Sequence, residues 1–536
     1  MPERPDYHAF YRDFQPSQLS DELAGDVMNA MNGCVECCDR YVGEDRVAVN
    51  WLDGSGRRVD LTFEDLQRQS AQVANVLANH GVQPGDRVAG LLPRRPELVA
   101  LILGVMRLGA VYQPLFTAFG PKAIDHRLMH SDAKIVVTDD TNRTKLQDIG
   151  ATPITMTLEP NGFDASFNAE VAAASTDFEP VMRSGDAPFL MMFTSGTTGP
   201  AKGMLLPLRA LVTFVAYMRY GLDIQPEDTF WNIADPGWAY GLYHGVIGPL
   251  LIGHQTVLYD GPFTVESTAQ VIDSLGVTNF AAAPTAYRMI IAAETGVERT
   301  FSKHLRIASS AGEPLNPEVM RWFEQHVGCP LHDQYGQTES AMMLMNHHGL
   351  AHGVRPGAAG YALPGFRLDV VDESGNEVPI DTPGILAVHR HDSPLFFFNG
   401  YLGTDGPAWV GDYYLTGDAV EKGRDGAVSF IGRSDDVISS AGYRIGPFDV
   451  ESCLLEDDAV AESAVIGKPD EERGQIVKAF VVLQPGARGD DALAERLRQH
   501  VRNRVGKHAY PREIDFVGEL PKTPSGKIQR FLLRQG

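Results

Sequence analysis

The chain has 536 residues, of which 43% are hydrophobic and 21% charged, so it can bury large apolar cores and form three or four domain-sized units. Its 69 acidic side chains outnumber the 46 basic ones, and a net charge of −23 disfavours binding to nucleic acid. The N-terminus has no apolar stretch typical of a signal peptide, and no apolar run reaches the ~20 residues of a membrane span. Composition therefore predicts a large cytoplasmic protein without stable membrane insertion.

The chain contains five cysteines, an odd number that indicates a reducing compartment. Three of them, Cys34, Cys37 and Cys38, cluster in the sequence CVECC. Two interpretations are open for this cluster: half of a metal site, or ordinary thiols on a helix. Ordinary thiols are favoured because no second group of Cys and His residues follows with ligand spacing.

Helix and strand patterns alternate through the first half of the chain. Thr62 and Asp65 have the spacing of a capping box, and the amphipathic helix that they begin should end at Gly81. Strand, helix and strand patterns then follow in the order DRVAGLL, PELVALILGVMRLG and AKIVVTDD. This alternation predicts an α/β fold with mainly parallel sheets covered by helices.

A loop rich in glycines and hydroxyl groups follows the apolar strand pattern FLMMF at Phe189–Phe193. The loop reads TSGTTGPAKG, from Thr194 to Gly203. Glycine lets backbone amides approach a ligand closely, the hydroxyls donate hydrogen bonds and Lys202 adds charge, which together suit phosphate oxygens. A solvated linker is the alternative, but a linker needs no buried strand before it. The loop is not a Walker A motif, because Gly203 follows Lys202 where that motif has Ser or Thr.

The sequence becomes rich in strand patterns from about residue 366. RLDVVDESGNEVP contains a turn at its centre, and GILAVHR is typical of a strand. A further boundary is predicted in GRSDDVI, and the last hundred residues have the pattern of a small α+β unit. We therefore predict an N-terminal core over residues 1–434, with a β-rich subdomain from about 366, and a mobile C-terminal lid over residues 435–536.

Several polar motifs remain, and each taken alone could be a turn, a polar loop or an exposed lysine. In chain order they are DPGWAYG (Asp235–Gly241), SAGEPLNPE (Ser310–Glu318), HDQYGQTES (His332–Ser340), LTGD (Leu415–Asp418), GRSDDVISSAGYRIGP (Gly432–Pro447) and PKTPSGKIQR (Pro521–Arg530). Together with the phosphate-loop pattern they resemble the adenylate-forming superfamily of acyl-CoA synthetases, adenylation domains and luciferases, from about residue 63 to 530. AGEPLNPE, KTPSGKI and DPGWAYG are most similar to the acetyl-CoA and medium-chain acyl-CoA synthetase branch.

The resemblance implies an ATP site built from all of these motifs. Its phosphate-binding residues would be Thr194, Ser195, Gly196, Thr197, Thr198, Gly199 and Lys202. Gly312, Glu313, Pro314, Asp333, Gln334 and Tyr335 would flank the adenine, with Gly336 and Gln337 beside them. Asp418 would accept the ribose hydroxyls, with Arg433 nearby and Arg444 reaching phosphate.

The same resemblance assigns catalytic roles to Thr338, Glu339 and Lys527. Thr338 would bond the α-phosphate, Glu339 would hold Mg²⁺, and Lys527 would contact both the acid and the α-phosphate. The reaction joins a carboxylate to ATP, and a cation at Lys527 offsets the repulsion between these two anions. Related synthetases are silenced by acetylation of the matching lysine, so an acetyltransferase and a deacetylase are possible partners at Lys527.

The implied second step uses CoA, after the lid has rotated about the hinge residue Asp435. Tyr240, Ala441, Gly442 and Tyr443 would line the CoA channel. The expected activity is that of an AMP-forming acid–CoA ligase of fatty acid metabolism. ATP and CoA would be its cosubstrates, and Mg²⁺ its cofactor.

The acid itself is predicted from the walls of the acyl pocket, with Gly336 on one side and Trp238, Ala239 and Tyr240 on the other. Synthetases dedicated to acetate carry a tryptophan in the place of Gly336, so glycine here predicts room for a short- to medium-chain acid, straight or branched. An aryl acid is an alternative. So are loading of a carrier protein in trans and a catalytically inactive nucleotide sensor, although a sensor would be expected to have lost Lys202, Glu339, Asp418 or Lys527.

Overall fold

The computed structural model describes residues 4–43, 45–160, 162, 164–194, 201–293, 295–403, 409–434, 436–440, 443–470, 473–522 and 528–534, except for the side chain of Arg444. Over these residues the predicted fold class is confirmed: a large N-terminal α/β part built on two sheets is followed by a smaller C-terminal α+β part. The helices described include none with the length and apolarity to cross a membrane.

The first sheet has seven strands and is parallel except at one edge. In spatial order its strands are Ala165–Ser166, Ile154–Thr157, Ile135–Thr138, Arg87–Leu91, Val111–Pro114, Pro188–Thr194 and Lys202–Pro207. The last two strands pair antiparallel, so the edge of this sheet is a hairpin that carries the phosphate loop. The strand predicted before that loop is confirmed.

The second sheet has fourteen strands and a parallel centre. Its strand order is Leu368–Val371, Gly384–His389, Tyr413–Lys422, Val428–Arg433, Ala358–Ala362, Ala341–Met345, Leu331–Gln337, Ile307–Ala311, Asn279–Ala282, Phe230–Asn232, Thr256–Asp260, Val47–Asp53 and Arg58–Thr62, with Trp409–Val410 paired to Tyr413–Lys422. The β-rich segment is therefore continuous with the larger sheet, because Ala358–Ala362 pairs with a strand of each on its two sides. This pairing leaves no open strand edge between the two parts.

The C-terminal part has a five-stranded sheet of its own. Its strands are Tyr443–Ile445, Ile438–Ser440, Gly474–Leu483 and Val460–Asp470 in spatial order, with Glu513–Val517 also paired to Gly474–Leu483. The large sheet ends at Arg433 and this sheet begins at Ile438. The predicted boundary residue, Asp435, lies between them and outside the described residues.

Helices pack against both large sheets and against the strand Val460–Asp470 of the small sheet. The α-helices are Tyr7–Asp13, Ser17–Ser20, Gly33–Cys37, Phe63–Asn79, Pro96–Arg107, Pro121–Ser131, Asp140–Arg143, Phe167–Ala173, Ala210–Ala216, Ala239–Gly241, Gly248–Leu251, Val265–Leu275, Pro284–Ala292, Glu298–His304, Pro317–Trp322, Pro447–Leu454, Asp491–Arg504 and Arg530–Leu533. Wider π-helical turns occur at Tyr217–Gly221, Leu242–Ile247 and Phe323–Val327, and 3-10 turns at Asp39–Tyr41 and Thr144–Leu146.

The helix Phe63–Asn79 begins with the predicted capping box. Thr62 Oγ1 accepts a hydrogen bond from the Asp65 amide, and Asp65 Oδ2 accepts one from the Thr62 amide, each over 3.1 Å. These two bonds satisfy amide groups that a helix start otherwise leaves without partners. The helix buries its apolar stripe against the helix Pro96–Arg107, which in turn packs on the strands Arg87–Leu91 and Val111–Pro114 of the seven-stranded sheet.

The cysteine cluster packs into the apolar core. Cys34, Cys37 and Cys38 are fully buried at the helix Gly33–Cys37. The Cys38 thiol donates to the carbonyl oxygen of Phe63 over 3.2 Å, and burial raises the pKa of Cys37. This environment suits protonated core thiols better than thiolate ligands.

Candidate active site

The phosphate loop is anchored at both ends by a hairpin. Its strands Pro188–Thr194 and Lys202–Pro207 run antiparallel, and their register pairs Thr194 with Lys202 at the open end. The predicted phosphate ligands between them, Ser195, Gly196, Thr197, Thr198 and Gly199, lie outside the described residues. Thr194 and Lys202 both contact the side chain of Tyr401.

Tyr401 connects the phosphate loop to the predicted metal ligand. Its hydroxyl donates to Glu339 Oε1 over 2.5 Å, and the Nζ of Lys202 lies 5.1 Å from the centre of its ring. The backbone amide of the next residue, Leu402, donates to the carbonyl oxygen of Gly203 over 2.8 Å. The sequence motifs do not include Tyr401, because the surrounding tripeptide NGY has no pattern that points to phosphate or metal binding.

The predicted catalytic residues Thr338 and Glu339 lie at the tip of a second hairpin. Its strands are Leu331–Gln337 and Ala341–Met345, which pair antiparallel with an irregularity after Tyr335. The Glu339 carboxyl is buried, and the Thr338 carbonyl oxygen accepts a hydrogen bond from the Tyr243 hydroxyl over 3.3 Å. The turn therefore places Thr338 directly beside the buried Glu339 carboxyl, at the end of the strand Leu331–Gln337.

The predicted ribose ligand Asp418 is the centre of a complete hydrogen-bond network. Its carboxylate accepts from Gln337 Nε2 over 2.9 Å, from the Tyr335 hydroxyl, and from the Arg433 guanidinium over 3.1 Å. The neighbouring Tyr414 hydroxyl donates to Gln337 Oε1 over 3.0 Å and fixes that amide. Burial raises the pKa of Asp418, and Arg433 opposes this shift. Four predicted ATP ligands are thus brought together from two hairpins.

The predicted adenine-flanking loop lies beside the C-terminal ends of two parallel strands, next to Asp333. Gly312 has a φ of +98°, a conformation that favours glycine, and Pro314 follows one residue later. Glu313 between them accepts from Thr285 Oγ1 over 3.1 Å and from Arg288 over 3.0 Å. Its carboxylate is therefore engaged with the helix Pro284–Ala292, and only the backbone of this loop remains open to a base.

Asp333 is a buried carboxyl, and none of the described lysine or arginine side chains forms an ion pair with it. Its oxygens accept from the backbone amides of Leu315 and Gln334, over 3.3 and 3.1 Å. Burial nevertheless raises the pKa of Asp333 to about 7. The group can therefore act as an acceptor or a donor near neutral pH.

The side chain of Gln334 does not line the nucleotide site, contrary to the prediction. It accepts from the Tyr217 hydroxyl and donates to the carbonyl oxygen of Gly221 over 3.1 Å, on the core side of its strand. Successive side chains of a strand point to opposite faces, so Gln334 is turned away from the face of Asp333 and Tyr335. Only its backbone can contribute to the site.

Glycine at position 336 has a backbone reason that the sequence did not reveal. A Cβ atom built on Gly336 would lie 2.2 Å from the carbonyl oxygen of Ala341, across the hairpin. Ala341 itself has a φ of +56°, which brings that carbonyl close. The backbone of this hairpin therefore leaves no room for a side chain at position 336, and the wide acyl pocket inferred from Gly336 stays a prediction.

The predicted acyl-pocket segment presents an aromatic wall. The Trp238 ring lies 5.5 Å from Phe116 and 5.3 Å from Phe119, measured between ring centres, and Ala239 begins a short helical turn. The Tyr240 ring lies in the same segment, and its hydroxyl is buried beside Tyr217. This placement favours Tyr240 as part of the wall and disfavours the predicted contact with CoA.

The predicted lid residues Asp435, Ala441, Gly442 and Lys527 lie outside the described residues, as does the side chain of Arg444. Tyr443 is described: it is exposed and stacks on His508 at 4.8 Å. The lid rests on the N-terminal part near the adenine loop, where Asn316 Nδ2 donates to Ser452 Oγ over 2.8 Å.

Two family models match the chain. The AMP-binding enzyme family matches residues 38–402, and the AMP-binding enzyme C-terminal domain matches residues 449–527. The chain belongs to the AMP-binding enzyme family, within the adenylate-forming superfamily that the motifs resemble.

Similar proteins and solved structures indicate which class of AMP-binding enzyme this chain represents. The acetyl-coenzyme A synthetase of Bacillus subtilis (strain 168) is 35% identical in sequence, and the alignment covers 98% of this chain and 94% of the relative's chain. An acyl-CoA synthetase of Brucella canis is 55% identical in its crystal structure, covering 99% and 98% of the two chains with a TM-score of 0.81. An anthranilate CoA ligase in complex with anthranoyl-AMP is 26% identical, covering 97% and 98% with a TM-score of 0.88. The chain is an enzyme of the AMP-forming acyl-CoA synthetase class, and this prediction is confirmed.

Proposed function

We propose that the enzyme activates a short- to medium-chain carboxylic acid, straight or branched, and transfers its acyl group to CoA. A carboxylate oxygen attacks the α-phosphorus of ATP, which releases pyrophosphate and leaves acyl-AMP. The sulfur of CoA then attacks the acyl carbon, AMP leaves, and the thiol proton is released to solvent. The observation that carries this proposal is a chain of polar contacts that runs from Asp418 through Gln337 and Tyr414 to Tyr401, which contacts both Glu339 and Lys202.

The nucleotide would lie along this surface. Asp418 would accept the ribose hydroxyls in exchange for part of its present network, and Thr338 would bond the α-phosphate. Lys202 and the residues from Thr194 to Gly199 would hold the β- and γ-phosphates, where glycine amides and hydroxyls are the suitable donors. Tyr335 and the backbone at Gly312–Pro314 would enclose the adenine.

Magnesium fits the donor set at Glu339. A carboxylate oxygen is a hard ligand of the kind that Mg²⁺ prefers, and Tyr401 already holds one oxygen of this carboxylate in a fixed direction. A bound Mg²⁺ would neutralise negative charge on the phosphates. Tyr401 would orient the Glu339 carboxylate and support the phosphate loop in either state.

The lid would supply the groups for each step in turn. Lys527 would offset charge during acyl-AMP formation, and rotation about Asp435 would replace it with Ala441, Gly442 and Tyr443 along the CoA channel. Arg444 would reach phosphate. Acetylation of Lys527 would remove the charge that the first step needs. We place the enzyme in the cytoplasm, because the described cysteines are free and buried.

A second candidate substrate class is an aryl acid. Trp238, Phe116 and Phe119 form an apolar aromatic wall, on which a flat ring can stack. One structural relative is an anthranilate CoA ligase, which acts on an acid of this class.

The test is acid-dependent release of AMP with ATP, Mg²⁺ and CoA, across straight-chain acids from acetate to decanoate and with isobutyrate and benzoate. A maximum at four to eight carbons supports the proposal. A maximum at benzoate would favour the aryl acid as substrate. A maximum at acetate would contradict the proposed chain length. If no acid released AMP, a carrier protein would replace CoA as the favoured acceptor.

A further inference from the structure

Three buried polar side chains in residues 238–244, the segment that includes the predicted acyl-pocket wall, lack hydrogen-bond partners. The first is Trp238, whose buried Nε1 has no acceptor. The second is Tyr240, whose hydroxyl is near that of Tyr217 without the geometry of a hydrogen bond. The third is His244, whose two ring nitrogens both lack a partner. No partner for these atoms occurs among the residues that the structure describes. Buried polar atoms in folded proteins are nearly always bonded, so three such groups on one seven-residue segment call for an explanation.

His244 is the most deeply buried of the three. Only 1% of it is exposed, and its ring is surrounded by Phe214, Tyr217, Tyr240 and Tyr243 at 4.3 to 6.1 Å between ring centres. Burial in this aromatic box lowers the pKa of His244 to about 3. The imidazole is therefore neutral at physiological pH, with one nitrogen as donor and the other as acceptor.

The segment lies against the site where the acyl phosphate would form. The Tyr243 hydroxyl, next to His244 in the chain, donates to the carbonyl oxygen of Thr338 over 3.3 Å. Trp238, earlier in the same segment, contacts Phe116 and Phe119. The unpartnered atoms thus lie on the segment that connects the catalytic turn with the aromatic cluster, along which the tail of a bound acid would extend in the proposed function.

We propose that the preferred acid carries a hydrogen-bonding substituent, a hydroxyl or amino group, which His244 and Tyr240 bind through their side chains. This inference rests on the proposed function. A hydroxyl or amino group can donate to one ring nitrogen and accept from a tyrosine hydroxyl, whereas a purely hydrocarbon tail leaves each of these atoms without a partner. A site built to bond a polar group discriminates strongly against the analogue that lacks it.

The experiment compares kcat/KM for AMP release between matched acids. Hexanoate is compared with its 2-, 3-, 4-, 5- and 6-hydroxy derivatives, and benzoate with its hydroxy and amino derivatives. We expect at least one polar acid to exceed its unsubstituted partner by about tenfold or more. Unsubstituted acids that equal or exceed every polar partner would overturn the inference while leaving the ligase activity intact, whereas no AMP with any acid would instead contradict the proposed function.

Substitution then assigns the preference to His244. In His244→Phe the ratio of kcat/KM for the polar acid to that for its partner should fall toward one, and His244→Gln, which keeps a donor and an acceptor, should retain part of it. Tyr217→Phe is the matched control, since its hydroxyl belongs to the same aromatic box but already bonds Gln334. A purely structural role for His244 would lower both acids together in His244→Phe and leave the ratio unchanged, and that result would overturn the assignment.

Discussion

The two ends of the proposed site differ in the hydrogen bonding of their buried polar groups. The nucleotide end is the network around Asp418, and the acid end is the segment of residues 238–244. Asp418 accepts from three side chains before any ligand binds, and two of them, Gln337 and Arg433, also donate to the carbonyl oxygen of Thr416. Among the described residues, Trp238 Nε1 and both nitrogens of His244 have no such partner. A surface that receives the same ribose in every turnover can be built in advance, whereas a wall that selects an acid keeps its bonds for that acid.

The largest effect should come from Lys527→Ala, because Lys527 is the cation that we propose to lie between the two reacting anions. We expect acyl-AMP formation to fall by ~10²–10³-fold. Thioester formation from supplied acyl-AMP should persist, measured as CoA consumption. Lys522→Ala is the control: this lysine lies five residues away and pairs with Glu462 at 2.8 Å. Equal loss of both steps in Lys527→Ala would contradict the division of labour.

Asp418→Asn should weaken ATP binding and leave the acid end unaffected. Loss of the charge-assisted bonds at this position costs about 1.5–3 kcal/mol, so KM for ATP should rise by ~10–100-fold while KM for the acid stays constant. Asp369→Asn is the control, because Asp369 also accepts from a tyrosine and an arginine, Tyr413 and Arg367, away from the motifs. A rise in both KM values would show that the two ends are not independent.

Tyr401→Phe should have a smaller effect, confined to the first step. Removing one hydroxyl that orients the Glu339 carboxylate costs about 1–1.5 kcal/mol, so kcat for acyl-AMP formation should fall roughly tenfold. The Mg²⁺ concentration for half-maximal rate should rise with it. Tyr413→Phe removes an equivalent tyrosine–carboxylate bond outside the site and should change neither quantity. An unchanged Mg²⁺ dependence in Tyr401→Phe would contradict a role of Tyr401 in orienting the metal ligand Glu339.

The smallest effect is a pH dependence set by Asp333. Burial raises the pKa of Asp333 to about 7, above the ordinary range, so the carboxyl is ionised at pH 8 and mostly protonated at pH 6.5. If the ionised form accepts from the adenine amino group, KM for ATP should rise about fourfold on going from pH 8 to pH 6.5. Asp333→Asn should flatten this profile. An unchanged slope in the variant would assign the dependence to another group.

The sequence predicts local features well and long-range partners poorly. The capping box of Thr62 and the strand before the phosphate loop depend on neighbouring residues, and the structure confirms them. Tyr401 meets Glu339 across 62 positions, and no local pattern marks that contact. Gly336 shows the same limit: an absent side chain indicates either open space or backbone at close range, and only the fold distinguishes these.

One consequence follows from the position of Arg433. This residue ends the strand Val428–Arg433, forms an ion pair with Asp418, and lies two positions before the predicted pivot at Asp435. Arg433 is backbone-paired with Asp418, so in the proposed rotation about Asp435 the lid would turn as a single event against a strand end that stays fixed to the sugar site. Turnover limited by that event would slow in proportion to solvent viscosity, and the acid would have little influence on its maximum rate.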